Sequence, residues 1–194
     1  GLQKLKAIEF LTDGTGRTVT LAAPAQRIVT LAPSNTEVLF AIGAGDRLIG
    51  RDDYSDYPAE ALSVPSIGSL YPSVNAEAIV ALKPDLVLAA GITSDADVKA
   101  LSALGLTVYK GRNATNLDDI YADILALGQL TGRATEAEQL VADSRTRADA
   151  VTAKTSGATN KPVVLYEIDA TEPSKPWTSG PGSFIDLLIT MAGG

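Results

Sequence analysis

The side chains able to do chemistry in this chain are defined first by which are missing. Of 194 residues, none is Cys and none is His. Without Cys there is no disulfide, thiolate nucleophile, iron–sulfur cluster or Cys-based zinc site. Without His, a Ser-His-Asp or Cys-His relay cannot be built, and a metal could be held only by hard oxygen ligands. Carboxylates remain. Asp52, Asp53 and Asp56 lie within five residues of one another and are of the type that binds a hard cation or serves as acid and base. They lack the alternate spacing of a calcium loop and read as a solvated turn after a strand. Asp118 and Asp119 fall in the first turn of a helix, where negative charge complements the dipole. Gly43-Ala44-Gly45-Asp46-Arg47-Leu48 begins like a dinucleotide fingerprint. Its sixth position is Leu, however, and it follows a helix instead of opening one, so it reads as a helix stop and turn. Gly180-Pro181-Gly182-Ser183 has no Lys to complete a phosphate-cradling loop, and no Gly-x-Ser-x-Gly elbow occurs.

The aromatics say more because they are scarce: six Tyr, three Phe and one Trp. Tyr54, Tyr57, Tyr71 and Trp177 all fall in polar loops placed after strands, not in apolar stripes. In open α/β sheets, ligands bind outside the carboxyl ends of strands, and aromatic faces there offer flat apolar contact to a bulky ligand. Any single Tyr could equally be a partly buried loop anchor. Several together point to a ligand cleft.

The elements carrying these loops follow from periodicity and punctuation. Ile8 to Leu21 reads as a hairpin turning at Asp13-Gly14-Thr15-Gly16. Arg27–Leu31 is an apolar run of buried-strand type. Ser34 with Glu37 forms a capping box for a helix through Val38, Leu39 and Ile42, stopping at Gly43. The unit recurs. Leu48–Arg51 is a strand and Asp52 to Pro72 a long polar loop, after which Asn75 caps a helix ended by Lys83-Pro84. Leu86–Ala89 is a buried strand, Ser94 with Asp97 caps the next helix, and Gly105 stops it. Leu106–Tyr109 is a strand, and Leu117 to Leu130 a helix. Strands alternating with helices in this way predict a parallel sheet with helices on both faces, a Rossmann-like α/β lobe.

Thr135 with Glu138 then opens a long helix to about Lys154, apolar only along a narrow stripe, as in a helix bridging two domains. Residues 155–162 have linker composition. Val163–Ile168 is a fresh strand, followed by a Pro- and Gly-rich loop and a helix from about Ser183 to Met191. One strand–helix unit cannot bury both faces of a sheet, so this part is expected to open a second, incomplete lobe.

Whole-chain quantities bound the function classes. Sixteen basic against 23 acidic side chains leave a formal charge of −7, and 45% of residues are hydrophobic. That is a globular composition, and its acidity argues against nucleic-acid phosphate as a partner. No apolar run approaches the ~18 residues of a membrane span. The absence of Cys suits export, and the start at Gly1 is expected to follow removal of any targeting segment.

Four stretches resemble one family. Arg27-Ile-Val-Thr-Leu-Ala-Pro-Ser-Asn-Thr-Glu37, Tyr54-Ser-Asp-Tyr-Pro58, Asn75 to Val87 and Pro176-Trp-Thr-Ser-Gly180 are similar, in order and spacing, to substrate-binding proteins of ABC importers. The branch is the one whose two lobes are joined by a single helix, binders of vitamin B12, ferric siderophores and haem, with the vitamin B12 binders most alike. The resemblance implies an amino-terminal lobe at 1–133, a connecting helix at 134–157, and the start of a second lobe at 158–194. It implies extracytoplasmic capture of a corrinoid or an iron complex, with no cofactor, no resident metal and no chemistry on the ligand. It also implies an ABC permease as partner, a monomer, and membrane attachment only through a removed amino-terminal lipid anchor. Tyr54, Tyr71 and Trp177 match aromatic ligand contacts, with Ser34 and Asn35 completing the candidate ligand-binding set. Glu77 matches the acidic residue that docks on the permease; it also reads simply as a carboxylate in a helix's first turn. Where vitamin B12 binders can carry a Trp after the Asp-Leu-Val strand, this chain has Ala90, which leaves corrinoid and iron complex both open. The alternatives are a doubly wound α/β enzyme, which should place a Gly-rich turn where this chain has Ala32-Pro33-Ser34, and a ligand-sensing surface domain not coupled to transport.

Overall fold

The computed structural model describes residues 8–194, so the first seven residues of the expected 1–133 lobe lie outside the described part. β1 (Ile8–Thr12) and β2 (Thr18–Leu21) form the expected antiparallel hairpin. Its turn is organised by Asp13, whose carboxylate accepts the backbone N–H groups of Thr15 and Arg17 and pairs with the Arg17 guanidinium at 2.6 Å.

Four short strands make the main sheet: β3 (Ile28–Thr30), β4 (Leu48–Gly50), β5 (Leu86–Ala89) and β6 (Val108–Lys110). Their order is β4-β3-β5-β6 and every neighbouring pair is parallel. The chain leaves β3 toward one edge and β5 toward the other, so the loops after these two adjacent strands diverge at a topological switch point.

Alternation along the strands serves two cores. Ile28, Leu86, Leu88 and Tyr109 pack with α1 (Pro33–Ala41) and α4 (Leu117–Thr131), whereas Val29, Leu31, Val87, Ala89 and Val108 pack with α2 (Ala76–Ala81) and α3 (Asp95–Ala103). A sheet covered on both faces needs apolar residues at every position, which is why its strands appear in the sequence as continuous apolar runs.

Helix ends are set locally. Asn75, Ser94 and Asn116 each accept a backbone N–H from the first turn of α2, α3 and α4. The two remaining capping boxes are corrected. α1 begins before Ser34: Pro33 takes the first helical position, where its missing N–H leaves nothing unsatisfied, and Ala32 is the N-cap. α5 (Ala134–Thr155) follows directly on α4, because Gly132 adopts φ +66 and turns the chain, leaving Arg133 as N-cap and Thr135 inside the helix. α5 runs for 22 residues with only Ala137 and Val141 buried. It crosses α4 at Gly128, where a Cβ would come within 2.4 Å of the Ala137 methyl.

Beyond α5 the strand expected at Val163–Ile168 is shorter and later. Among the described residues β7 (Glu167–Asp169) pairs only with β8 (Trp177–Thr178), and residues 163–165 have no described strand alongside them to bond. α6 (Phe184–Met191) starts at Ser183, whose hydroxyl accepts the Asp186 N–H. Among the described residues no helix is long and apolar enough to cross a membrane.

Candidate functional site

The carboxyl ends of three parallel strands open onto one cavity of about 450 Å³. The chain leaving β3 supplies Ala32, Pro33, Ser34 and Asn35; that leaving β5 supplies Ala90, Gly91 and Ile92; that leaving β6 supplies Gly111 to Ala114. Val38 on α1, Ile120, Asp123, Ile124 and Leu127 on α4, and Phe184 on α6 complete the wall. It lies where the diverging loops of a doubly wound sheet leave room for a ligand.

Its polar groups are few and specific. Asp123 accepts the Arg112 backbone N–H at 2.8 Å, the Arg112 guanidinium at 2.6 Å and the Tyr109 hydroxyl at 3.0 Å. Burial first, and then the Asp123 charge, hold the Tyr109 phenol well above its ordinary range, so it stays a proton donor. Burial works against the charged Arg112, but its bond to Asp123 together with the charges and hydrogen bonds of Tyr109 and Asp123 outweighs this and leaves the guanidinium above its ordinary value. The Asn35 amide nitrogen is buried and has no hydrogen-bond partner. A buried donor without an acceptor is costly unless something else completes it. The cavity wall therefore holds Asn35, with its buried, unpartnered amide nitrogen, and Arg112, whose guanidinium is paired with Asp123 through one nitrogen. That set suits the acceptor oxygens of a ligand.

Of the residues singled out in the sequence, Ser34 and Asn35 line this cavity. Tyr54, Tyr71 and Trp177 do not; they are 69%, 87% and 73% exposed, on the 52–75 loop and on β8. Glu77 is exposed in the first turn of α2. Asp52 departs from the expected solvated turn. It is 1% exposed and accepts the Ser55 hydroxyl and the Tyr54 N–H, and Ser55 in turn is bonded to the buried Thr36 of α1. Sequence reading missed Arg112, Asn113, Asp123 and Phe184. A signal existed for Arg112 and Asn113: they follow a buried strand directly, the position where ligands are met. Among the described residues, no group of three or more acidic side chains is placed to hold a metal ion.

A family model described as periplasmic binding protein matches residues 28–194. Over 184 residues the chain is 29% identical to YvrC of Bacillus subtilis (strain 168), named as an uncharacterized ABC transporter substrate-binding lipoprotein, covering 93% of this chain and 58% of that protein. The crystal structure of the periplasmic vitamin B12 binding protein BtuF of Vibrio cholerae shares the fold with a TM-score of 0.76 at 29% identity, covering 88% of this chain and 65% of that one. The periplasmic heme-binding protein RhuT from Roseiflexus sp. RS-1, in apo form, gives the same TM-score at 27% identity, again covering 88% of this chain and 65% of that one. The chain spans less than two thirds of the length of each.

Proposed function

The chain belongs to the periplasmic binding protein family, and from that premise we propose that it is the substrate-binding part of an ABC importer. It captures a bulky corrinoid or iron complex outside the cytoplasm and hands it, chemically unchanged, to a membrane permease. The observation that carries this reading is the open cavity at the carboxyl ends of β3, β5 and β6, largely apolar and lined by Asn35, whose buried amide nitrogen has no hydrogen-bond partner.

Residue roles follow from chemistry. Asn35, Ser34 and Arg112 donate to acceptor atoms at the ligand's edge. The rings of Tyr54, Tyr71 and Trp177 supply wide apolar faces with few rotors to freeze. The lobes are 1–133 and the part from 158 onward, joined by the helix at 134–157, with the second lobe supplying the far wall of the cleft. Bending a continuous helix costs its hydrogen bonds, so the lobes close only modestly. Glu77 docks on basic residues of the permease. The protein works as a monomer, held to the membrane only by an amino-terminal lipid anchor, and needs no cofactor.

The test is calorimetric titration of the full-length protein with cyanocobalamin, haem and a ferric siderophore. Saturable one-to-one binding of one of them, with the ligand recovered intact, is expected. No binding of any of the three, or conversion of the ligand, would overturn the proposal.

A further inference from the structure

We propose that a buried chain of hydroxyls, Thr30–Thr36–Ser55 ending on Asp52, is a positioning device for Tyr54, presenting that ring to the ligand from a rigid mount. The proposal rests on the ligand-binding reading above. Thr30 ends β3, Thr36 lies near the start of α1, and Asp52 and Ser55 belong to the loop after β4. Thr30 Oγ1 and Thr36 Oγ1 are 2.6 Å apart, and Thr36 Oγ1 is 3.0 Å from Ser55 Oγ. The Ser55 hydroxyl bonds one Asp52 carboxylate oxygen, and the other accepts the Tyr54 N–H at 3.1 Å.

The direction of the chain is fixed by its end. A carboxylate only accepts, so Ser55 donates to Asp52; the one hydrogen of Thr36 then goes to Ser55, which leaves Thr30 to donate to Thr36. All the hydroxyl hydrogens run the same way, and bonds so aligned strengthen one another in a dry interior. All four members are 0–1% exposed, yet Tyr54, between Asp52 and Ser55, is 69% exposed. Its backbone is thus clamped on both sides while its ring stands in solvent. Tyr71 lacks such a mount: its N–H is taken by the exposed hydroxyl of Ser69 at 3.1 Å. Ordering a loop at the moment of binding subtracts from affinity, and a pre-fixed backbone removes that cost.

The test uses Thr36→Val and Thr36→Ser in the full-length protein. Valine keeps the shape and cuts the chain; serine restores it. Thr36→Val is expected to speed amide exchange at Tyr54 and to weaken binding of whichever of cyanocobalamin, haem or ferric siderophore the protein takes, each about tenfold, from stranding a buried hydroxyl partner. Thr36→Ser should recover both. In a Tyr54→Ala background, Thr36→Val should cause no further loss of affinity. An unchanged Tyr54 exchange rate, or an affinity loss just as large without the Tyr54 ring, would overturn the proposal. If the full-length protein fails to bind cyanocobalamin, haem or a ferric siderophore, the ligand reading falls, and the exchange comparison still decides the mount. Should Thr36→Val not fold, Ser55→Ala cuts the same chain and is expected to give the same two effects.

Discussion

The same local motif occurs twice in this molecule with different consequences. Asp13-Gly14-Thr15 and Asp169-Ala170-Thr171 each form a turn in which the Asp carboxylate accepts the N–H and the hydroxyl of the Thr two residues on. In the first, Asp13 is buried, pairs with Arg17, and sits in a hairpin tied to β6 by Gly14 N–H to the Lys110 carbonyl at 2.7 Å. In the second, Asp169 is exposed at the end of β7, whose every residue faces solvent. Short-range chemistry makes a turn wherever its residues occur. Only a covering layer makes the turn matter to stability. The doubly covered sheet supplies that layer; among the described residues, nothing covers β7 and β8 in the same way.

The largest expected break in this comparison is in packing. Leu88→Ala, at the centre of the fully buried β5, should cost about 2–5 kcal/mol in chemical denaturation. Leu165→Ala in this 194-residue chain, where the residue is 72% exposed, should leave the midpoint unmoved. Equal effects would mean that the two regions are covered alike.

The paired turns themselves come next. Asp13→Ala should cost roughly 1–3 kcal/mol, by leaving the part-buried Thr15 and Arg17 donors without their acceptor, and Asp169→Ala should not shift the unfolding midpoint. Burial pushes the Asp13 carboxyl up, but the bonds from Thr15 and Arg17 outweigh it and hold the group below its ordinary value. A carboxyl lowered in the folded state adds stability above its unfolded pKa and loses it as pH falls through the folded one. The difference between the wild-type protein and Asp13→Ala should therefore be full at neutral pH and shrink below about pH 4. A difference that grows with acid would contradict the assignment.

The smallest effect sharpens the reading of helix starts. Asn116→Ala should cost about 1 kcal/mol, because its side chain caps α4. Thr135→Ala should cost under about 0.5 kcal/mol, because that hydroxyl caps nothing.

These cases also show what was legible in the sequence. Caps at Asn75 and Ser94, the hairpin turn and the apolar strands were readable, since each depends on neighbours within a few residues. The two Ser/Thr-x-x-Glu boxes at 34 and 135 misled, because Pro33 and the left-handed Gly132 decide where α1 and α5 begin. Strand order was not legible, since alternation predicts a parallel sheet but not on which side of β3 the chain returns. Ser34 and Asn35, which the family resemblance implies as ligand contacts, line the cavity because α1 begins just after β3. Asp52 looked like solvated charge, because its place in a buried chain of hydroxyls runs through Ser55 to Thr36 on another element. Asp123 was missed for a similar reason: it joins the cavity only when α4 packs against the end of β6.

The central claim is that the ligand is received at the carboxyl ends of β3, β5 and β6. The measurement that addresses it most directly is a crystal structure of the full-length protein with whichever of cyanocobalamin, haem or ferric siderophore binds it. The account predicts a ligand acceptor atom within hydrogen-bond distance of the Asn35 amide nitrogen and ligand atoms against Ala90 to Ile92. A ligand seated elsewhere, with Asn35 still unpartnered, would contradict it.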